Sequence, residues 1–270
     1  MAHRWSCLID LSGTIHIDNL AIPGAVEALQ RLRKLPINVK FVTNTTKESG
    51  DFLLSRLHSI GFRDITRPEI FTSLSAAKCF IDSNGFRPMF FLEPSALTEF
   101  TDVSTENPNA VVIGLAPSQF NYQRLNDAFT LLNNSPQSSP TAFIAIHKAR
   151  YYKRSDGLAI GPGAFVAALE YGTGRRAVVV GKPEKEFFLK AVSEFSNSSA
   201  DRTFMIGDDV KDDIVGAQKC GFKGILVKTG KYLNGDENSV EIDRPWKVAA
   251  DFPEAVTLVH QFLEMNSDNI

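Results

Sequence analysis

Four short stretches of this chain carry residue types suited to chemistry on a phosphoryl group. Asp10-Leu11-Ser12-Gly13-Thr14 follows directly on the apolar triplet Cys7-Leu8-Ile9. A carboxylate at such a strand end can attack phosphorus and can also ligate a metal. Gly13 permits a tight turn that offers backbone amides to an anion. The pentapeptide reads equally as a turn-initiating Asp before a Ser-Gly loop. Thr43 and Asn44 can donate hydrogen bonds to phosphate oxygens; taken alone they also suit helix caps or loop polars. Lys182, in Gly181-Lys182-Pro183, offers a point charge to a phosphoryl group or a carboxylate nucleophile, or is simply a solvated strand end. The densest signal is Gly207-Asp208-Asp209-Val210-Lys211-Asp212-Asp213, with four acids inside six residues. Like charges packed so closely call for a cation, and magnesium accepts one or two carboxylates plus substrate oxygens. An acidic helix start accounts for Asp212 and Asp213 through the helix dipole, but less well for Asp208 and Asp209.

The elements that must position these residues alternate between strand and helix patterns, which argues for an α/β fold with a mostly parallel sheet. Strands are expected over 7–9, 39–42, 177–180, 203–206 and 224–227. Helices are expected over 24–35, 47–60, 184–195 and 212–220, with Gly61 and Gly221 as stops. Four of the strands then end at Asp10, Thr43-Asn44, Lys182 and Asp208. In an open parallel sheet, ligands bind outside the carboxyl ends of strands near a topological switch point, so residues distant in sequence converge there. The middle of the chain has its own α/β rhythm: strands over 88–92, 110–114 and 142–146, helices over 120–132 and 163–172, and a polar tip over 133–140. It is expected to be an inserted domain, residues 76–176, within a catalytic core formed by 1–75 and 177–270.

Composition bounds the function. The chain has 270 residues, 43% hydrophobic and 22% charged, with a net charge of -2. That balance gives no general electrostatic pull toward nucleic acid or an acidic membrane surface. The three cysteines, Cys7, Cys79 and Cys220, have neither metal spacing nor a disulfide framework, which fits a reducing compartment. His3, Arg4 and Asp10 interrupt the apolar start, so no secretory h-region is read there, and no apolar run nears the ~20 residues that span a bilayer. A cytoplasmic enzyme acting on a small phosphorylated molecule, without nucleic-acid or membrane partners, is the expectation.

Taken in order, the four motifs resemble those of the haloacid dehalogenase (HAD)-like hydrolase superfamily. The place of the insertion, between the second and third motifs, resembles the C2-capped, NagD-like branch. Phe41 to Ser49, Lys148 to Lys153 and Val179 to Pro183 narrow the resemblance to a sub-branch that includes phosphatases of P–N and phosphoanhydride bonds. The resemblance implies a Rossmann-like core with an α/β C2 cap. It implies Asp10 as nucleophile and magnesium ligand, with the backbone carbonyl of Ser12 and the carboxylate of Asp208 completing the protein ligands. Leu11 and Ser12 of the nucleophile loop, with Thr43, Asn44 and Lys182, would hold the phosphoryl group. Asp209 and Asp213 would stand behind them, Asp213 orienting metal-bound water or Lys182. A homodimer through the cap is a further implication.

The chain departs from the pattern at Ser12. Most phosphatases of the superfamily place a second Asp there, which protonates the leaving group and then activates water. A serine hydroxyl does neither near neutral pH, and such help is worth ~10²–10⁴ in rate. Phosphoanhydride or P–N substrates, whose leaving groups need less protonation, are therefore expected over simple monoesters. A catalytically weak phosphate-binding or regulatory protein, and an ordinary phosphomonoesterase, are the alternatives. The basic-aromatic run His147 to Arg154 reads as a solvated cap loop or as a contact for anionic substrate or a partner subunit.

Overall fold

The computed structural model describes residues 5–134, 136, 138, 140–154, 156–195, 199–238 and 244–266, without the side chains of Lys153 and Arg154. The chain divides into two compact units. The first comprises Met1–Thr43, Leu54–Phe71 and Lys182–Ile270; the second comprises Asn44–Leu53 and Thr72–Gly181.

In chain order the strands are β1 (Trp5–Ile9), β2 (His16–Ile17), β3 (Leu20–Ala21), β4 (Ile37–Thr43), β5 (Ile70–Thr72), β6 (Pro88–Phe91) and β7 (Ala110–Ile113). They continue with β8 (Ala142–Ala145), β9 (Tyr151–Arg154), β10 (Gly157–Ile160), β11 (Val178–Val179), β12 (Thr203–Gly207), β13 (Lys223–Val227) and β14 (Lys247–Ala249).

The first unit is built on a sheet of order β14-β13-β12-β1-β4-β5. Its central strands run parallel, with Ile9 level with Ile206 on one side and with Phe41 on the other. Both central strands are buried along their whole length, which is why Cys7-Leu8-Ile9 and Phe204-Met205-Ile206 are unbroken apolar runs and not alternating ones. From β1 the chain builds outward to β4 and β5, and from β12 in the other direction to β13 and β14. The switch point therefore lies between β1 and β12, the strands that deliver Asp10 and Asp208. Trp5 stacks on Phe204 at 5.0 Å between ring centroids, and Phe262 of the helix Phe252–Met265 meets both rings edge-on. That aromatic cluster anchors the amino-terminal end of the central strand pair.

The second unit has a parallel sheet of order β11-β8-β7-β6. Alternate residues of β7 and β8 serve opposite faces, as a period-two strand requires. Val111, Ile113 and Phe143 pack with Leu132, Val166 and Leu169, whereas Val112 and Ile144 pack with Leu74, Ile81 and Leu92.

The α/β fold is as expected, but residues 44–53, 72–75 and 177–181, expected in the core, fall in the second unit. One strand is not where the sequence placed it. The run 177–180 was expected to be a buried core strand ending in Lys182. Val178–Val179 instead pairs with β8 in the second unit's sheet, and Val178 is 51% exposed. A short Val-rich run has no periodicity that says which sheet it joins. Of the polar tip over 133–140, residues 135, 137 and 139 lie outside the described residues. No helix among the described residues is long and apolar enough to cross a membrane.

Candidate active site

Asp10 stands one residue beyond β1, and its amide still donates to the carbonyl of Ile206 at 2.9 Å. The chain then turns back tightly: the carbonyl of Leu11 accepts from the amides of Thr14, Ile15 and His16. Gly13, at φ +98°, makes the turn possible; a Cβ built there would lie 2.2 Å from Asp208 Oδ2. Only glycine meets both demands.

Lys182 Nζ donates to Asp10 Oδ1 at 2.5 Å and to Asp213 Oδ1 at 2.6 Å, and lies 3.4 Å from the carbonyl of Val42. Lys182 is 2% exposed and Asp213 1%, so these are fully desolvated, charge-assisted contacts. Burial alone would lower the ammonium's pKa, but the two carboxylates overcome it and hold Lys182 well above its ordinary range. The Thr14 hydroxyl lies 3.3 Å from Asp10 Oδ2 and 3.2 Å from Asp208 Oδ1, so it bridges the two acids. Oxygens of Asp10, Asp208 and Asp213 all lie within 4.8 Å of one another. Burial, and then the charge of Asp10, push Asp208 up to about 7.

The segment after Asp208 is wound as a wide π-type turn, Val210–Val215. Asp209 caps it, its Oδ1 accepting from the amides of Lys211 and Asp212, and its own amide donates to Asp213 Oδ2 at 3.1 Å. Asp213 is thereby oriented toward Lys182, and Asp209 is a cap. Burial, then the charge of Asp209, raise Asp212 to about 6.

Of the residues singled out from sequence, Asp10, Lys182, Asp208 and Asp213 meet in one cluster within the first unit, with Asp209 beside them. Thr43 ends β4 and is 2% exposed. Asn44 belongs to the second unit, where its Oδ1 would lie 2.6 Å from a Cβ on Gly181. Leu11 is buried, while Ser12 is exposed. In the basic-aromatic run, Lys148 is committed to buried Glu170 at 2.7 Å, and Lys47 sits over the Tyr152 ring at 4.0 Å. His147 is buried with its Nε2 3.5 Å from the Thr46 hydroxyl. The side chains of Lys153 and Arg154 lie outside the described residues.

Sequence reasoning gave no part to three residues that belong here: Thr14, Thr229 and Lys231. The Thr229 hydroxyl donates to the carbonyl of Gly13 at 2.5 Å. The Lys231 amide donates to Asp208 Oδ2 at 2.7 Å, and its ammonium lies 3.1 Å from Asp209 Oδ2. A signal existed: Lys228-Thr229-Gly230-Lys231 follows β13 directly, at the carboxyl end of a strand beside β12.

A parallel sheet with a nucleophile-type carboxylate, a buried lysine and clustered acids at its switch point, interrupted by an α/β cap, defines the class. The chain belongs to the haloacid dehalogenase-like hydrolases. The family model described as haloacid dehalogenase-like hydrolase matches residues 7–105, and a second, HAD-hydrolase-like model matches 179–255. The chain is 54% identical over 256 residues to haloacid dehalogenase-like hydrolase domain-containing protein 2 of Rattus norvegicus, covering 95% of this chain and 96% of that protein. It is 37% identical over 258 residues to the phospholysine phosphohistidine inorganic pyrophosphate phosphatase of Homo sapiens, covering 94% and 93%. Among solved structures, glycerol phosphate phosphatase from Mycobacterium tuberculosis in complex with magnesium superimposes with a TM-score of 0.80 at 26% identity, covering 94% of this chain and 78% of that one.

Proposed function

We propose that this chain is a magnesium-dependent phosphohydrolase in which Asp10 is the covalent nucleophile, with a preference for phosphoanhydride or P–N bonds. The observation that carries the reading is the convergence of Asp10, Asp208 and Asp213 oxygens within 4.8 Å around one buried lysine. Three buried carboxylates against one ammonium leave an excess of negative charge, and every side-chain donor is a hard oxygen; that donor set fits magnesium. Asp10, Asp208 and the backbone carbonyl of Ser12 would hold the ion. When bound, it would neutralise phosphoryl oxygens and help to orient the substrate.

The protein's own groups account for the rest of the cycle. Lys182 holds Asp10 by one oxygen and carries positive charge into the site, where Asp213 fixes its direction. Thr43, at the end of β4, donates a hydrogen bond to a phosphoryl oxygen. A carboxylate oxygen of Asp10 forms a bond to phosphorus as the bond to the leaving group breaks, and the leaving group departs with the electron pair. A water oxygen then attacks phosphorus, releasing phosphate and regenerating the Asp10 carboxylate. Positioning and electrostatic stabilisation supply most of the rate in such transfers.

The substrate preference rests on Ser12, which supplies no proton to an alkoxide. A phosphate leaving group is already stabilised as an anion, and an amine of a P–N bond can be protonated before it leaves. The 37%-identical human relative bears in its name phospholysine, phosphohistidine and pyrophosphate, which is the same chemical set. The free cysteines Cys7, Cys79 and Cys220 favour a reducing compartment such as the cytoplasm.

The test is magnesium-dependent phosphate release from pyrophosphate, imidodiphosphate and an aryl phosphate, with Asp10→Asn as control. The first two are expected to exceed the third, and Asp10→Asn to abolish all three. Equal release by the wild type and the variant refutes the reading.

A further inference from the structure

The four motifs leave one side of Asp208 unaccounted for, and the structure fills it with a segment none of them contains. We infer that the turn Thr229-Gly230-Lys231, after β13, is a positioning element of the cation site: it sets both the Asp208 carboxylate and the loop that carries Asp10. This inference rests on the reading that Asp10 and Asp208 together hold magnesium.

Asp208 is oriented from two sides. Its Oδ1 lies 3.2 Å from the Thr14 hydroxyl, and its Oδ2 accepts the Lys231 amide at 2.7 Å. A carboxylate held by both oxygens cannot rotate about its Cβ–Cγ bond without losing a partner. Gly230 brings the Lys231 amide to that place. Its φ is +56°, and a Cβ built on it would lie 2.1 Å from Asp208 Oδ2 and 2.5 Å from the Cα of Gly13. A Cβ on Gly13 would in turn fall 2.2 Å from the same oxygen. Asp208 Oδ2 thus occupies space that a Cβ on either glycine would fill.

Thr229 acts on the other half of the site. Its hydroxyl donates to the Gly13 carbonyl at 2.5 Å, while the Gly13 amide donates to the His16 carbonyl at 2.7 Å. The peptides on both sides of Gly13 are thus pinned. Because a trans peptide is planar, fixing the Gly13 N–H also fixes the direction of the Ser12 carbonyl, the backbone atom proposed to face the ion. The turn is itself anchored: Tyr232 packs against Val210, Ile214 and Leu226, and its hydroxyl donates to Glu237 at 2.7 Å. The Lys231 ammonium, 3.1 Å from Asp209 Oδ2, ties the turn to the cap of the Val210–Val215 segment.

Groups behind metal ligands are typically worth 10–100-fold in metal affinity. The test is calorimetric titration of magnesium chloride into wild type, Thr229→Val and Thr229→Ser, with the melting temperature of each metal-free protein measured alongside. Valine keeps the shape and removes the hydrogen bond; serine keeps the hydrogen bond. Magnesium affinity is expected to fall about tenfold in Thr229→Val and to return to within about twofold of wild type in Thr229→Ser. A Thr229→Val protein that melts lower yet binds magnesium as tightly as wild type overturns the inference, because its threonine is then merely structural. A wild type that binds no magnesium overturns the underlying metal reading, and the inference with it.

Discussion

Replacing Lys182 by Met should damage stability and turnover together, with a signature in pH that an ordinary core substitution lacks. The side chain is of similar length, so packing changes little while two contacts of 2.5 and 2.6 Å disappear. Hydrogen bonds to charged groups are worth ~1.5–3 kcal/mol each, and breaking a buried ion pair by removing one partner costs ~3–5 kcal/mol. A loss of ~3–5 kcal/mol is therefore expected at neutral pH, a large part of the ~5–15 kcal/mol that holds a typical domain. Burial raises the pKa of Asp213 and the charge of Lys182 opposes that rise; without the ammonium, the folded Asp213 carboxyl holds its proton still more tightly than in the unfolded chain. The folded variant then binds more protons than the unfolded chain, so its stability falls as pH rises above the ordinary carboxylate range. The deficit against wild type should be small near pH 4 and largest at pH 7–8. Urea unfolding of both proteins at these pH values, metal-free, measures it, and pyrophosphate turnover should fall by at least ~10² through the loss of the charge beside the reacting oxygens. A deficit that does not change with pH, or unimpaired turnover, would show that Lys182 is not the counter-charge of the site.

Ser12→Asp should raise aryl phosphate turnover relative to pyrophosphate, toward the ~10²–10⁴ that general acid–base help can supply; an unchanged ratio in a folded, magnesium-binding variant defeats the account of the substrate preference. In the second unit, Glu170 accepts from Lys148 at 2.7 Å and from the Ala177 amide at 3.0 Å. Burial opposes its charge, but these partners hold its pKa below the ordinary value, so its contribution is complete above about pH 4.5 and is lost as pH falls through the lower folded value. Glu170→Gln should accordingly lower the melting temperature at pH 7 and flatten its acid dependence, and equal acid dependence in both proteins argues against the assignment. Of the thiols, exposed Cys79 should react with a disulfide reagent in the native protein, whereas Cys7, pushed far up by burial, and Cys220, pushed up to about 11 by burial, should react only on unfolding. Stoichiometric native labelling of Cys7 or Cys220 would contradict the packing of the sheet.

The central strands were legible because burial on both faces leaves an unbroken apolar run with a polar terminus. That signature gave β1 with Asp10 and β12 with Asp208; β4 with Thr43 was read from Val39, Phe41 and Val42, although buried Lys40 interrupts the apolar run. Val178–Val179 misled because the same signature, shortened to two paired residues, does not name its sheet. Lys182 enters the site from the connection after that strand. Thr229 and Lys231 went unread for a different reason. Their contacts run through a hydroxyl to a carbonyl and through a backbone amide, and residue type does not reveal where an amide points. The strand-end rule applied to β13 would have reached them.

The charges gathered at the site bear on the proposed cation. Five acids, Asp10, Asp208, Asp209, Asp212 and Asp213, gather at the end of β1 and β12, with two lysines among them. Lys182 lies between Asp10 and Asp213, and Lys231 directs its ammonium to Asp209. Between the remaining oxygens of Asp10 and Asp208 stands the Thr14 hydroxyl, which has one proton to share between two carboxylates. Burial and the charge of Asp10 hold the proton on Asp208 up to about 7. A divalent cation seated there would bind both carboxylates in their ionised forms. Its affinity should therefore rise with pH between about 6 and 8, because binding must release the proton that Asp208 otherwise keeps. Magnesium titrations across that range, in two buffers of different protonation enthalpy, measure the release directly. Binding without proton release at pH 6 would place the ion elsewhere.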